Sequence, residues 1–465
     1  AIANVIIIPM TSWLSQQLGR RNYFAVSIII FTVSSFLCGN ATNIWELVAF
    51  RFIQGLGGGA LLVTAQTIVT ESYPLAKRGM AQAIYGMGVI VGPTLGPPLG
   101  GYIVDRFSWP FIFYINIPIG IIAALLTLSF IKSPKYGVKL KANQVDWLGI
   151  FFLSAFIGSL QFVLEHGQQD DWFNDPVIVT LSVVSFFGLL FFIWRELTYE
   201  HPIVNLKVLK DSNLRIGTIM CFILGFGLYG STFIIPIYTQ SILGWSATDA
   251  GLLLIPSSIT TGIMMPFIGK MIQKGIPQTY LVAAGFFVFF AFTYWMHLVI
   301  TPDSGEEHMY WPLILRGVGL GLLFVPITTL SLSTLTGKHI GEGAAFTGMM
   351  RQLGGSFGIA IITTYIARIN QEHRVNMIGY LDNTSFEVQQ RVHQLQMGFM
   401  SKGYAMNEAL AKAYKTLEMM VTQQAAVLTF SDIFLYLGYL FLFCIPFILL
   451  VKKGKNKINP ADAMH

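Results

Sequence analysis

Apolar runs of about 20 residues recur from one end of this sequence to the other, and any fold must place nearly all of them out of water. A helix of that length crosses the roughly 30 Å hydrocarbon core of a bilayer and satisfies its own backbone hydrogen bonds on the way. Thirteen candidate spans are read at 1–16, 23–41, 45–70, 79–104, 110–131, 146–166, 176–195, 213–237, 247–270, 279–300, 309–335, 343–367 and 430–451. With 54% hydrophobic and 11% charged residues, the chain lies far from soluble domains, which carry about 25% charge. The expected fold class is an all-α polytopic membrane protein. Cys38, Cys221 and Cys444 lie singly inside apolar runs and read as small buried hydrophobes, not as a disulfide or metal framework.

The net charge of +6 would suit a nucleic-acid partner if it were gathered into one stripe with interleaved aromatics. Instead the bases mark alternate helix ends. One set of loops holds Arg20, Arg21, Lys77, Arg78, Lys132, Lys135, Lys139, Lys141, Arg195, Lys207, Lys210, Arg215, Lys270, Lys274 and Lys338, and the C-terminus adds Lys452, Lys453, Lys455 and Lys457. The short loops on the other side hold only Arg106. By the positive-inside rule the basic loops and the C-terminus are expected in the cytoplasm, and no nucleic-acid partner is expected. Segments 132–145 and 196–212 read as linkers. Segment 368–428 is too polar to span and, since a structureless loop of that length is unusual, is expected to form a helical hairpin on the outer side. The histidines lack zinc-ligand spacing, no GxxxxGK[ST] phosphate loop occurs, and no catalytic constellation emerges. The expectation is a protein that is not an enzyme, binds no cofactor or metal, and draws on an ion gradient.

Residues 86–101, GMGVIVGPTLGPPLGG, hold the most distinctive pattern. Gly88, Gly92, Gly96 and Gly100 recur every fourth residue, so on a helix they form one smooth stripe of the kind that lets backbones approach closely in a membrane. Pro93, Pro97 and Pro98 interrupt it and are expected to bend the helix. The stretch from Gly92 to Gly120, GPTLGPPLGGYIVDRFSWPFIFYINIPIG, resembles the antiporter motif and following helix of major facilitator drug exporters. Across nearly the whole chain the sequence is similar to the fourteen-helix EmrB/QacA group, and most of all to EmrB-type permease subunits. The antiporter motif is then carried by Gly88, Gly92, Pro93, Gly96, Pro97, Gly100 and Gly101.

The resemblance implies a major facilitator fold: two six-helix bundles plus two inserted helices. The implied divisions are an N-terminal bundle at 1–131, linkers and inserted helices at 132–212, and a C-terminal bundle at 213–451 that includes the 368–428 hairpin. A cytoplasmic tail follows at 452–465. One complete helix would precede the first span, so the opening AIANVIIIPM is expected to begin mid-helix in an N-terminally shortened chain. The implied function is proton-coupled antiport, exporting drugs or other amphipathic toxic compounds across the inner membrane by alternating access. Its surroundings would be the lipid bilayer, small amphipathic substrates and protons, with a periplasmic adaptor and an outer-membrane channel as candidate partners. The rivals are a symporter or exporter for one metabolite, against which the antiporter stretch speaks, and a non-transporting receptor or scaffold. Arginines inside several spans argue against the scaffold, because each costs at least about 2.5–3.5 kcal/mol to insert. A shortened chain that is inactive by itself is a further possibility.

Those arginines head the candidate site. Arg51, in ELVAFRFIQGLGGGAL, resembles the family's RxxQG motif with Gln54 and Gly55 in place. It is expected to take part in proton coupling by tuning a carboxylate or, alternatively, to bridge two helices by hydrogen bonds. Arg316, opening RGVGLGLLFVP, and Arg351, in GMMRQLGGSFGIAI, form a weak internal echo of it and read equally as charge-relay or as snorkelling, gate-locking residues. In the first basic loop, TSWLSQQLGRRNYF, the family's Gly and acid are replaced by Ser12 and Gln16, while Gly19, Arg20 and Arg21 remain. Arg20 and Arg21 are expected to pair with helix C-terminal carbonyls or a facing acid, or simply to fix topology. Asp105 and Glu165, at the outer ends of their spans, are candidates to load protons if burial raises their pKa values, and are otherwise wetted helix-end residues. Glu46, Asp249, Glu342 and Asp432 read first as helix N-terminal acids.

Overall fold

The computed structural model describes residues 2–132, 145–381 and 385–449, and among them there are helices and connections but no strands. Most of the expected linker at 132–145 and the whole tail at 452–465 therefore lie outside the described residues. The helices are α1 (Ile2–Leu18), α2 (Arg20–Gly39), α3 (Ile44–Ser72), α4 (Arg78–Arg106), α5 (Phe111–Tyr114), α6 (Asn116–Phe130), α7 (Trp147–His166) and α8 (Pro176–Thr198). There follow α9 (Ser212–Ser241), α10 (Ala247–Leu252), α11 (Ile255–Gln273), α12 (Gln278–Val299), α13 (Glu306–Leu332), α14 (Lys338–Gly379), α15 (Phe386–Met400) and α16 (Met406–Leu449).

Local sequence explains where many of them start. Asn43, Asp146, Asp175 and Asp211 each turn a side-chain oxygen onto a backbone N–H of the first helical turn that follows. That supplies an acceptor to donors that have no partner inside the helix. Pro176 stands at the first position of α8, where its missing N–H is no loss. Gly19 alone separates α1 from α2, and its φ of +80° is one that a side chain strongly disfavours.

Ten helices or helix pairs are long and apolar enough to cross a membrane among the described residues: α2, α3, α5–α6, α7, α8, α9, α10–α11, α12, α13 and α16. The other expected spans coincide with α1, α4 and α14. α1 to α3 pack together with α5 and α6, and α9 to α14 with α16, while α7 and α8 pair with each other; α4 joins the first group at α3 and α5 and lies mostly along α10, α11 and α13 of the second. The two groups meet where α4 lies along α11 and where α1 lies along α14, and α7 covers that second contact from the side. A continuous apolar cluster crosses the first contact: Tyr85, Val89 and Ile90 of α4 join Met265, Leu320 and Phe324. A second crosses the other, from Val5 and Ile8 through Ile157 to Ala344, Phe346 and Met349, and it takes in Ile203 and Val204 of the connection after α8.

α9 and α14 approach most closely. A Cβ on Gly358 would sit 3.0 Å from the Phe226 carbonyl oxygen, and Gly225 and Gly354 abut the Arg351 and Phe222 carbonyls more tightly still. Glycine is required there for contact between backbones, as small residues are wherever no hydrophobic effect drives membrane helices together.

The polar 368–428 segment is helical, but its parts are unequal. α14 continues to Gly379, about 63 Å of helix at 1.5 Å per residue, far more than a 30 Å hydrocarbon core needs. α15 then packs on the first half of α16 through Val388, Val392 and Ala413. Arg374 pairs with Glu418 at 2.8 Å between α14 and α16. Because α16 runs unbroken from Met406, Asp432 lies inside a helix and not at its start, and it faces His373 at 3.0 Å. The sequence placed it at a terminus because the apolar run begins only at Phe430.

Candidate transport site

Within the N-terminal group, α3 is held by its glycines. Gly55 and Gly59 face Ala3, Asn4 and Ile7 of α1, while Gly57 faces the backbone of α2 at Ser27 and Phe31. This close packing positions Arg51. Its Nη1 donates to Gln54 Oε1 at 2.8 Å, Gln54 Nε2 donates to Ser35 Oγ of α2 at 2.6 Å, and the guanidinium lies 5.3 Å from the Phe113 ring centre. Gln54 is buried; Arg51 is exposed. The described residues thus give Arg51 neutral partners and bring no carboxylate into ion-pair distance.

The first basic loop does form ion and carbonyl contacts. Arg20 donates to both carboxylate oxygens of Glu71, with Nη2 to Oε1 at 3.0 Å, and so ties the start of α2 to the end of α3. Arg21 donates to the Leu128 carbonyl near the end of α6. The expectation of a facing acid and a C-terminal carbonyl is met by one arginine each. Ser12 and Gln16 lie on α1, with Gln16 Nε2 at 3.4 Å from Ser12 Oγ, and Ser12 faces Gly341 across the α1–α14 contact.

α4 runs from Arg78 to Arg106 as one helix through the whole glycine-proline stretch. The stripe behaves differently from its expectation. A Cβ added at Gly88, Gly92, Gly96 or Gly100 would meet nothing within 4 Å among the described residues. Close approach is instead made on other faces: Gly79 against Ile272, Gly86 against Phe324 and Met265, Gly101 against Thr248, and Pro98 against Gly251. The side chains of Pro93 and Pro97 lie outside the described residues. Asp105, at the end of α4, is exposed and accepts from Thr248 Oγ1 at 3.2 Å. Glu165, near the end of α7, is exposed and accepts from Gln161 Nε2 at 2.8 Å. Both lie exposed near helix ends, each accepting from a neutral side chain.

Arg316 and Arg351 lie deep within α13 and α14, at 2% and 3% exposure, so neither snorkels to a helix end. Arg316 donates to Ser231 Oγ at 2.9 Å, Ser257 Oγ at 3.0 Å and Thr232 Oγ1, linking α13 to α9 and α11. Arg351 reaches across the contact between the groups, 3.5 Å from Tyr85 Oη of α4 and 5.3 Å from the Phe324 ring centre.

The family profile of the Major Facilitator Superfamily matches residues 1–359. The chain belongs to this superfamily. It is 33% identical to the fatty acid resistance protein FarB of Neisseria gonorrhoeae, over 97% of this chain and 87% of that one. It is 32% identical to the multidrug export protein EmrB of Escherichia coli K12, over 93% of this chain and 82% of EmrB. Among solved structures, a double-tryptophan mutant of XylE superposes with a TM-score of 0.58 at 12% identity, covering 98% of this chain and 85% of that one. The chain is therefore an EmrB-type major facilitator exporter, a multi-pass membrane protein and not an enzyme.

In this exporter one basic-loop residue does more than mark topology. Arg78, at the start of α4, is buried and donates through Nη1 to the carbonyls of Leu332 at 3.0 Å and Leu335 at 3.1 Å. Carbonyls at a helix C-terminus carry partial negative charge and lack helical donors, so a guanidinium satisfies them well. No local signal marks this role, because the partner lies more than 250 residues away. Glu71 was equally hidden, a loop-end acid whose partner depends on how α2 packs.

The Arg20–Glu71 pair gives a direct prediction. Arg20→Ala strands a mostly buried carboxylate and is expected to cost about 3 kcal/mol, read as a fall in the thermal midpoint of the purified exporter. Exchanging the two charges (R20E with E71R) recovers most of that loss. Equal damage from the single and double variants refutes the pairing.

Proposed function

We propose that the protein is a proton-coupled antiporter that exports drugs or other amphipathic toxic compounds by alternating access. The α1–α6 and α9–α16 groups act as the two moving bodies, with α7 and α8 inserted between them. The basic loops and the C-terminus face the cytoplasm, in the inner membrane of the cell. The observation that carries this reading is the contact between the groups. It runs along α1–α14 and α4–α11, and on the basic-loop face it is closed by Arg78 on the α13 carbonyls and by Ser12 against Gly341. An apolar surface pinned by few polar contacts is suited to parting and re-forming as the two groups rock. That relatives such as EmrB are named as multidrug exporters supports the substrate class.

Arg51 with Gln54 is the proposed coupling residue of the N-terminal group. In inverted vesicles holding an imposed proton gradient, addition of drug is expected to dissipate the gradient, followed with a pH-sensitive dye. Arg51→Ala is expected to slow that dissipation about tenfold or more, the equivalent of one lost charged hydrogen bond. Equal dissipation by both proteins removes Arg51 from coupling and leaves the antiporter standing; no response to any drug from folded protein contradicts antiport.

The projecting ends of α14 and α16 with α15 are the proposed dock for a periplasmic adaptor and, through it, an outer-membrane channel. Their helices extend well past what a bilayer requires. Shortening the hairpin within 368–428 is expected to abolish co-purification of the adaptor without loss of membrane insertion. Undiminished co-purification rejects the dock.

A further inference from the structure

The C-terminal group buries two guanidinium groups and, among the described residues, neutralises neither. Arg316 is met by three hydroxyls. Arg351 is met by the Tyr85 hydroxyl at the limit of hydrogen-bond distance, by the face of Phe324, and by Tyr229 and Cys221 beside it. All of these are neutral groups at neutral pH. Nη1 of Arg351 is buried and has no hydrogen-bond partner among the described residues. A guanidinium inside a membrane protein is normally paired, because a buried cation with an unsatisfied donor is among the most costly arrangements a fold can hold. Arg351 is also placed where a ligand would need it, since Tyr85 belongs to one moving group and Arg351 and Phe324 to the other. The surfaces around it, Gly86 against Phe324 and Met265, are apolar.

We propose that Arg351 receives the anionic head of an amphipathic substrate when the groups part. The substrate class is then organic anions bearing a carboxylate or a similar planar oxyanion on an apolar body. This rests on the export reading above and narrows it. A planar guanidinium offers two parallel N–H donors that match a carboxylate, and such bidentate pairs are the strongest hydrogen bonds available to a side chain. The Phe324 ring beneath the guanidinium and the Tyr85 hydroxyl beside it fix the orientation of the fork. Arg316, eight residues before Phe324 on α13 and so about 12 Å from it along that helix, adds a second buried positive charge to the same group and opposes a cationic head. A site built for drug cations would present the reverse: carboxylates with aromatic faces.

The test uses three compounds of one shape and different heads: 1-naphthylacetate, 1-naphthylacetamide and 1-naphthylmethylammonium. Each is measured by uptake into proteoliposomes containing the whole chain. The expected result is a preference of about tenfold or more for the carboxylate over the amide, the range of one charged hydrogen-bonded contact, with the ammonium compound poorest. Arg351→Gln is expected to bring the carboxylate-to-amide ratio close to one, and Arg351→Lys, which keeps charge without the fork, to leave it between. Thermal stability of both variants checks that they fold. Export of the amide or ammonium compound at least as fast as the carboxylate overturns the inference and leaves the export reading intact. An unchanged ratio in a folded Arg351→Gln variant also overturns it. Failure of the native protein to move any of the three, or any drug, fails the export reading and this inference together.

Discussion

A buried guanidinium has no water to turn to, whether at a helix end or within a span, and each buried arginine of this protein therefore fixes the helices around it. Arg20 on Glu71 joins α2 to α3, Arg78 on Leu332 and Leu335 joins α4 to the end of α13, and Arg316 draws the hydroxyls of α9 and α11 onto α13. Each arrangement offsets a burial cost with contacts that only one packing supplies; for Arg316, inside a span, that cost is at least about 2.5–3.5 kcal/mol. The apolar residues alone would not specify that packing, since lipid tails are as apolar as leucine. The glycines then set how near the backbones come, most of all between α9 and α14. Arg351 departs from this pattern. Among the described residues its one hydroxyl contact is long and its Nη1 has no partner, whereas Arg78, whose Nε also lacks one, is held by two carbonyls.

These contacts sort into two kinds with different consequences for motion. Those inside a group, such as Arg316 with Ser231 and Ser257, would persist under the proposed movement of the groups as bodies. Those between groups are two apolar clusters whose polar ties are few: a carbonyl cap and a long hydroxyl contact. The connection after α8 adds a further tie on the same face, where Asn205 Nδ2 donates to Glu342 Oε2 at 3.2 Å while Val204 N–H donates to the buried Glu196. The pair α7 and α8 is thereby fastened to the start of α14, beside the contact proposed to open.

Much of the fold was legible in the sequence because hydrocarbon enforces it: a 20-residue apolar run has few alternatives to a helix, and the positions of Arg20, Arg21 and Arg78 mark the ends. The polar hairpin was legible as helix but not in its proportions, since nothing local announces that α14 and α16 continue without a break through the change from apolar to polar. The stripe of Gly88, Gly92, Gly96 and Gly100 pointed to close packing, but among the described residues the packing is made by Gly79, Gly86 and Gly101 on other faces. Spacing identifies a face and is silent on what the fold sets opposite. The same holds for the site. Arg51, Arg316 and Arg351 stood out as charges in apolar runs, whereas Glu71, Tyr85 and the carbonyls of Leu332 and Leu335 are ordinary in sequence and matter only through contacts with distant residues.

The account turns on the contact between the two groups being one that must open for transport. A Cβ built on Gly341 lies 3.8 Å from Ser12 Cβ, within the range a disulfide needs, and the native cysteines are buried. The decisive measurement is drug export by the Ser12→Cys, Gly341→Cys protein before and after oxidation. The account predicts that the crosslink forms readily, halts export, and releases it again on reduction. Full export by the crosslinked protein would contradict the account, since the basic-loop face would then never need to part at α1 and α14.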